Sequence, residues 1–128
     1  MSPLAAVYIK SFRFIDDNTF ELVFNDATVM DIDGIEAIHK YISQFTEGKR
    51  VKRLVISGRG AEIKARARQL GEKLSEDARD YIIAEAVVVH SLTQKMVANF
   101  YFKYLKDLYP TKFFTDETKA REWLAAQH

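Results

Sequence analysis

The sequence has no cysteine, two prolines, five glycines and one tryptophan among its 128 residues. Without cysteine there is no disulfide framework, thiol nucleophile, iron–sulfur cluster or thiolate zinc site, and a reducing compartment is the natural setting. The cytoplasm is the expected location, since Met1-Ser2-Pro3-Leu4 has neither the basic region nor the long apolar stretch of a signal peptide. No run approaches the roughly 20 apolar residues of a membrane span, so no membrane partner is expected. Net charge is nearly absent as well: 19 basic and 18 acidic residues leave +1, with no global pull toward nucleic acid or anionic lipid. His39, His90 and His128 stand far apart and none has the two-histidine spacing of a metal site, so neither a metal nor another cofactor is expected. What remains is 48% hydrophobic and 29% charged, close to the globular average, and at 14.8 kDa the chain fits a single domain over residues 1–128. It contains no repeat, linker or low-complexity segment.

Val7–Ile15 and Thr19–Asn25 are rich in Val, Ile, Phe and Thr and are separated by Asp16-Asp17-Asn18, which predicts a β-hairpin. Phe20, Leu22 and Phe24 alternate along one face of its second strand. Asp31 or Asp33 caps a helix over about Ile32–Glu47 whose Ile35, Ile38, Ile42 and Phe45 step by three and four; Gly48 suits the left-handed position that ends it. Val51–Ile56 reads as a compact strand. After Gly58-Arg59-Gly60, the spacing of Ile63, Ala67, Leu70 and Leu74 predicts a second helix. Ile82–Val89 is almost uninterrupted apolar and is the expected centre of the core, a strand covered on both faces. Val87 and Val89 are expected to meet the helices carrying Ile38, Leu70, Met96 and Phe100. Ser91 with Gln94 caps a third helix that runs to Pro110 with Leu92, Met96, Val97, Phe100, Tyr104, Leu105 and Leu108 as its apolar stripe. Lys112–Phe114 is a short strand, and Thr115 or Asp116 caps a last helix whose Ala120, Trp123 and Leu124 share a face and close over the sheet.

Strands alternating with helices require right-handed crossovers, so the predicted class is α/β: a five-stranded, mostly parallel sheet with an N-terminal β-hairpin and four helices. Four segments then carry a resemblance: Ala84-Glu85-Ala86-Val87-Val88-Val89-His90-Ser91, Leu92-Thr93-Gln94-Lys95-Met96-Val97-Ala98-Asn99-Phe100-Tyr101, Tyr109-Pro110-Thr111-Lys112-Phe113-Phe114-Thr115-Asp116, and Ala120-Arg121-Glu122-Trp123-Leu124. These resemble the STAS-like (anti-sigma-factor-antagonist-like) bacterial domains, in particular a small stand-alone group with a closing Phe-Thr-Asp…Ala…Trp-Leu segment; Ile63 with Ala67-Arg68 is similar to the start of that group's second helix. The resemblance implies five strands, four helices and regulation by protein contact. It departs at one place. Signalling members carry a phosphorylated serine at a helix start after the third strand, whereas Ser57-Gly58-Arg59-Gly60-Ala61-Glu62-Ile63-Lys64 offers no hydroxyl at the matching position.

Two groups of residues are candidates for contact. Ser57, Gly58, Arg59 and Gly60 lie between a strand and a helix, where backbone N–H groups can cradle an anion, and His90 follows the central strand at its carboxyl end, where open sheets place ligand crevices. The full glycine-rich phosphate patterns are missing, as are the flanks of a serine nucleophile. The second group concerns partners. Lys49–Lys73 holds nine basic residues, Arg66 and Arg68 among them, against two acidic ones, an asymmetry that suits a steered protein partner or self-association. Nucleic acid is disfavoured for want of stacking aromatics among these residues. Aromatics crowd Phe100–Phe114, and Phe102 points away from the expected stripe, so Tyr101 and Phe102 are the expected anchors of an interface. Glu85 is read as preceding its strand, the alternative being a buried carboxylate with a lysine or arginine partner. The reading is a non-enzymatic, STAS-like regulatory or interaction domain acting as a homodimer; the alternative is a carrier or sensor of a small apolar or anionic ligand at the carboxyl ends of the strands.

Overall fold

The chain begins with a helix where the sequence reading began with a strand. In the computed structural model, which describes residues 1–128, α1 spans Pro3–Tyr8. Ser2 Oγ accepts from the Ala5 N–H at 3.2 Å and Pro3 occupies the first helical turn, where its missing N–H costs nothing. Strand β1 (Ile9–Phe14) then pairs antiparallel with β2 (Thr19–Phe24), forming the expected hairpin. Next come β3 (Val29–Met30), α2 (Ile32–Thr46), β4 (Val51–Ile56), β5 (Glu62–Ile63) and α3 (Ala65–Ala78). The chain ends with β6 (Ile82–Val88), α4 (Leu92–Tyr101), α5 (Leu105–Leu108), β7 (Thr111–Phe114) and α6 (Glu117–Ala125). The main sheet has five strands in the order β1-β2-β4-β6-β7, parallel from β2 onward. The fold class is thus the expected one, with six helices instead of four. No helix is long and apolar enough to cross a membrane.

Three further expectations are corrected. Ile63 belongs to the two-residue strand β5, paired with β3, and α3 starts only at Ala65. The expected third helix breaks at Phe102 (φ −113°, ψ 18°), giving α4 and α5. Glu85 lies inside β6 and is 5% exposed, so the reading that placed it before the strand fails and the buried-partner alternative holds. Its partners are Arg53, whose Nη2 lies 3.4 Å from Oε1, and Tyr109, whose hydroxyl donates to Oε2 at 3.2 Å.

Register explains the two layers. Phe14, Phe20, Arg53, Glu85 and Thr111 are neighbours across the sheet, as are Arg13, Glu21, Leu54 and Ala86 one position on, and successive residues point to opposite faces. On the first face α1 and α2 cover Phe20, Leu22 and Val51 with Ala5, Tyr8 and Ile38. On the opposite face Leu54, Ala84, Ala86 and Val88 meet Ala120 and Leu124 of α6, and Trp123 packs on Phe114 with ring centroids 5.8 Å apart. The alanines of β6 are small because α6 lies close against them. A third cluster joins Ile82 to Leu105 and Tyr109. Met96 and Phe100, expected over the central strand, are solvent-facing instead.

Glu21 pins α6 to the sheet. Arg13 donates to it from β1 through Nε at 3.1 Å and Nη2 at 3.3 Å, and Arg121 donates from α6 to Oε2. Burial would raise the carboxyl pKa, but the hydrogen bonds and positive charge of Arg13 and Arg121 more than reverse this and hold it below its ordinary value. With the folded pKa below the unfolded one, the stabilisation is complete above the unfolded carboxylate range and is lost as pH falls through the folded value. Glu21→Gln is expected to lower stability by roughly 1–2 kcal/mol at pH 7 and to converge on the parent protein at acid pH, once the folded-state carboxylate of Glu21 is protonated, in thermal melts. An equal offset at both pH values would mean that Glu21 acts through shape and not charge.

Candidate functional site

At the carboxyl ends of β2, β4 and β6, two connections meet. Asp26 Oδ1, after β2, accepts from the Arg59 N–H at 2.8 Å, and the Ala27 N–H donates to the Arg59 carbonyl at 2.8 Å. Gly58 is required here, because a Cβ would stand 2.0 Å from the Asn25 carbonyl oxygen. This arrangement changes the expected anion cradle: the Gly58-Arg59-Gly60 turn leads into β5, the helix N-terminus lies five residues beyond Gly60, and the Arg59 N–H is already taken by Asp26. The residue capping α3 is Lys64, which makes no side-chain cap, in keeping with the missing hydroxyl at that helix start.

The same ends enclose a half-open cleft of about 300 Å³. Val23, Phe24 and Ile56 supply its apolar surface, Ser57 and His90 stand together on it, and Lys10 and Arg59 reach it from the rim beside Asn25 and Asp26. Of the residues singled out for a ligand, Ser57, Arg59 and His90 line the cleft, Gly58 shapes the turn beside it, and Gly60 lies outside the lining with φ +64°. The Ser57 hydroxyl donates to the Val88 carbonyl at 2.8 Å, while His90 Nε2 lies 2.5 Å from the Ser57 carbonyl oxygen and must be the donor there. Serine and histidine are therefore each tied to the backbone, and the imidazole does not activate the hydroxyl. Nor does the structure bring three His, Asp or Glu side chains into a group that could hold a metal.

His90 also immediately precedes Ser91, the N-cap of α4. The Gln94 N–H donates to Ser91 Oγ at 3.0 Å, the half of the cap expected from the sequence, whereas Gln94 Oε1 accepts from the His90 N–H at 2.8 Å, one residue before the N-cap. The helix that follows is oriented opposite to expectation. Ala98 is buried and Gln94 and Asn99 are half-buried, whereas Leu92, Met96, Val97, Phe100 and Tyr101 are 71%, 73%, 49%, 67% and 45% exposed. The break at Phe102 is the cause, because it resets the helical phase: the chain turns inward, Phe102 packs toward Phe113 (centroids 6.3 Å), and Leu105 and Tyr109 enter the core. Phe102, expected as an exposed anchor, is half-buried in the third core cluster, while Phe100, expected in the core, is outside.

Of the other residues expected at an interface, Arg68 and Tyr101 meet, with the guanidinium carbon 4.2 Å from the ring centroid, so α3 extends the α4 surface. Arg66 sits elsewhere, exposed near Lys64 and opposite Asp31 and Asp33 at the start of α2. The basic stretch does not form one face. Arg53 turns in to Glu85, Lys52 Nζ donates to the Ala125 carbonyl, and Lys49 covers the Phe14 ring. A second aromatic group, missed in the sequence, gathers Phe12, Phe14, Phe20, Tyr41 and Phe45; the alternation of β2 against the α2 stripe was its only sign.

The architecture is similar to that of a crystal structure of an uncharacterized protein from the DUF3478 family with a SpoIIAA-like fold, from Shewanella loihica PV-4. The two share 17% identity, 91% of each chain is covered, and the TM-score is 0.67. That likeness makes the fold SpoIIAA-like, which is the STAS-like architecture the closing segments resembled. No curated protein matches the chain. Residues 13–127, from β1 to the last turn of α6 and just beyond, match one family throughout, and the chain belongs to it: the domain of unknown function DUF7793.

Proposed function

We propose that this chain is a non-enzymatic, STAS-like interaction domain that works as a homodimer through the outward face of α4. The observation that carries the reading is the inverted helix: it turns a small and polar side to the body and five large apolar side chains to solvent. Such a face presents on the order of 600 Å², the upper end of the largest apolar patch on an ordinary monomer. Two copies face to face would bury roughly 1,200 Å², the lower bound of a stable specific interface. A twofold axis near Met96 sets Leu92 of one copy against Phe100 of the other, because both lie one helical turn from it along a single ridge.

The surrounding charge separates this geometry from an ionic one. No acidic residue occurs between Ala86 and Lys106, while Lys103 approaches the Phe100 ring at 5.6 Å and Arg68 stacks on Tyr101. Joining two such faces brings cations together, so screening should leave the dimer unchanged or tighten it. Light scattering from about 5 to 100 µM protein is expected to show a monomer–dimer equilibrium that is no weaker in roughly 0.5 M salt. Phe100→Glu and Met96→Glu are expected to give monomers that melt as the parent does at dilutions where it is itself monomeric, both side chains being exposed. A monomer at about 100 µM in both salts overturns the homodimer and leaves α4 to a different protein. Dissociation by salt overturns the apolar geometry.

A further inference from the structure

The cleft beside His90 is separate from the α4 face and has a chemistry of its own. Its apolar surface comes from Val23, Phe24 and Ile56, and its rim carries Lys10 and Arg59. Neither rim cation forms a salt bridge, although the protein pairs Arg13, Arg53 and Arg121 with carboxylates elsewhere. Asp26 is the one acid in the lining, and one of its oxygens is occupied by the Arg59 backbone. The other polar groups of the lining are also used: the Ser57 hydroxyl on Val88, His90 Nε2 on Ser57, and, at the rim, the Asn25 amide on the carbonyls of Ala6 and Val7. What the cleft has left to offer is therefore apolar surface inside and, at the mouth, two cations against the single Asp26 carboxylate, a net positive charge.

We infer that this cleft binds a small organic oxyanion with a compact apolar body. Arg59, with Lys10, holds the carboxylate or phosphoryl head at the rim, since a guanidinium fork matches either group with two parallel N–H donors. Val23, Phe24 and Ile56 cover the body, and a volume of about 300 Å³ admits one ring or a short branched chain. The position is the one open parallel sheets use for ligands, outside the carboxyl ends of the strands. The close approach of the Gly58 backbone to Asn25 joins the two loops that form the rim.

The test is a titration of the full chain with benzoate, phenyl phosphate, inorganic phosphate and neutral benzamide, followed by the amide resonances of Arg59, Asp26 and His90. Saturable shifts are expected for both aromatic anions below about 10 mM, with inorganic phosphate and benzamide each at least about tenfold weaker. Comparing benzoate with phenyl phosphate tells which head the rim prefers. Arg59→Ala and Lys10→Ala alter exposed side chains and leave the backbone bond to Asp26 in place, so both variants should fold, and each should weaken the aromatic anions about fivefold or more. Absence of saturable shifts with all four probes overturns the site. Unchanged affinity in the Arg59→Ala, Lys10→Ala double variant overturns the role of the rim, and inorganic phosphate binding as tightly as phenyl phosphate overturns the apolar part. None of these results depends on whether the chain dimerises through α4.

Discussion

Replacing Arg53 by leucine is expected to destabilise the protein by about 3–5 kcal/mol, because it leaves the Glu85 carboxylate inside the sheet without its counter-charge. Glu85 is 5% exposed in β6, an interior strand of the sheet, with Arg53 Nη2 at 3.4 Å and the Tyr109 hydroxyl at 3.2 Å. Burial opposes the charge of Arg53, yet Glu85, Tyr109 and Tyr104 outweigh it and hold the guanidinium pKa above its ordinary value. The tyrosines respond in the same sense. Burial, then the charges of Glu72 and Glu85, push Tyr104 up to about 12, and burial with Glu85 pushes Tyr109 higher still. Tyr109 therefore stays protonated and remains a donor to Glu85 throughout the physiological range.

The pair is nevertheless an imperfect one. Arg53 Nε is buried with no hydrogen-bond partner, so part of the desolvation cost is never recovered. An ion pair of this kind is needed once one member is present, but contributes little net stability as a unit. The double variant Arg53→Leu, Glu85→Leu leaves only the Tyr109 hydroxyl without its acceptor, so it is expected to lose about 1–3 kcal/mol, well short of the sum of the single losses. Urea unfolding of the four proteins measures this. Additive losses in the double variant would show that the network stabilises the fold outright, contrary to the geometry at Nε.

The elements that could be read from the sequence are those in which a local pattern and its terminus agree. The hairpin had two β-rich runs flanking an Asp-rich turn, the second with clear alternation, α2 had Asp31 and Gly48 at its ends, and β6 had its β-branched run. Where the reading went wrong, a pattern was carried across a break that no glycine or proline marks. Tyr101-Phe102-Lys103-Tyr104 interrupts a helix with aromatic residues, which are weak helix formers but not breakers, so one stripe was drawn through two helices of different phase. That single error exchanged the positions of Phe100 and Phe102. Helix α1 was legible in Ser2-Pro3, a cap followed by a first-turn proline, but the β-rich residues after it dominated the reading. Glu85 was harder, because its partner is far away in sequence: Arg53 becomes its neighbour only through the register of β4 on β6. The cleft lies between these cases. Ser57, Arg59 and His90 could be found from their position at strand ends, whereas Lys10, Val23 and Asp26 join them only through the pairing of β1 and β2 and the contact between loops.

The other large effect is expected at Phe20. Its side chain is 1% exposed and sits against Phe12 (centroids 5.1 Å, 46°) and Phe14 (6.1 Å, 71°), in the cluster that Ile38 and Val51 complete. Strand geometry places it there: Phe20 pairs with Phe14 on one side and with Arg53 on the other, so it separates the aromatic group from the buried ion pair. Truncation to alanine removes the transfer energy of the ring and leaves a cavity that rigid β-strands on both sides cannot close, for an expected loss of about 3–5 kcal/mol. Leucine fills most of that space and should cost roughly 1–2 kcal/mol. Phe45 supplies the control. It touches the same group through Phe12 at 5.4 Å and Tyr41 at 5.2 Å but is 43% exposed, so Phe45→Ala should cost less than about 1.5 kcal/mol. Denaturant midpoints for the three variants decide the matter. Equal losses for Phe20→Ala and Phe45→Ala would move the centre of this cluster from the sheet to the exposed end of α2.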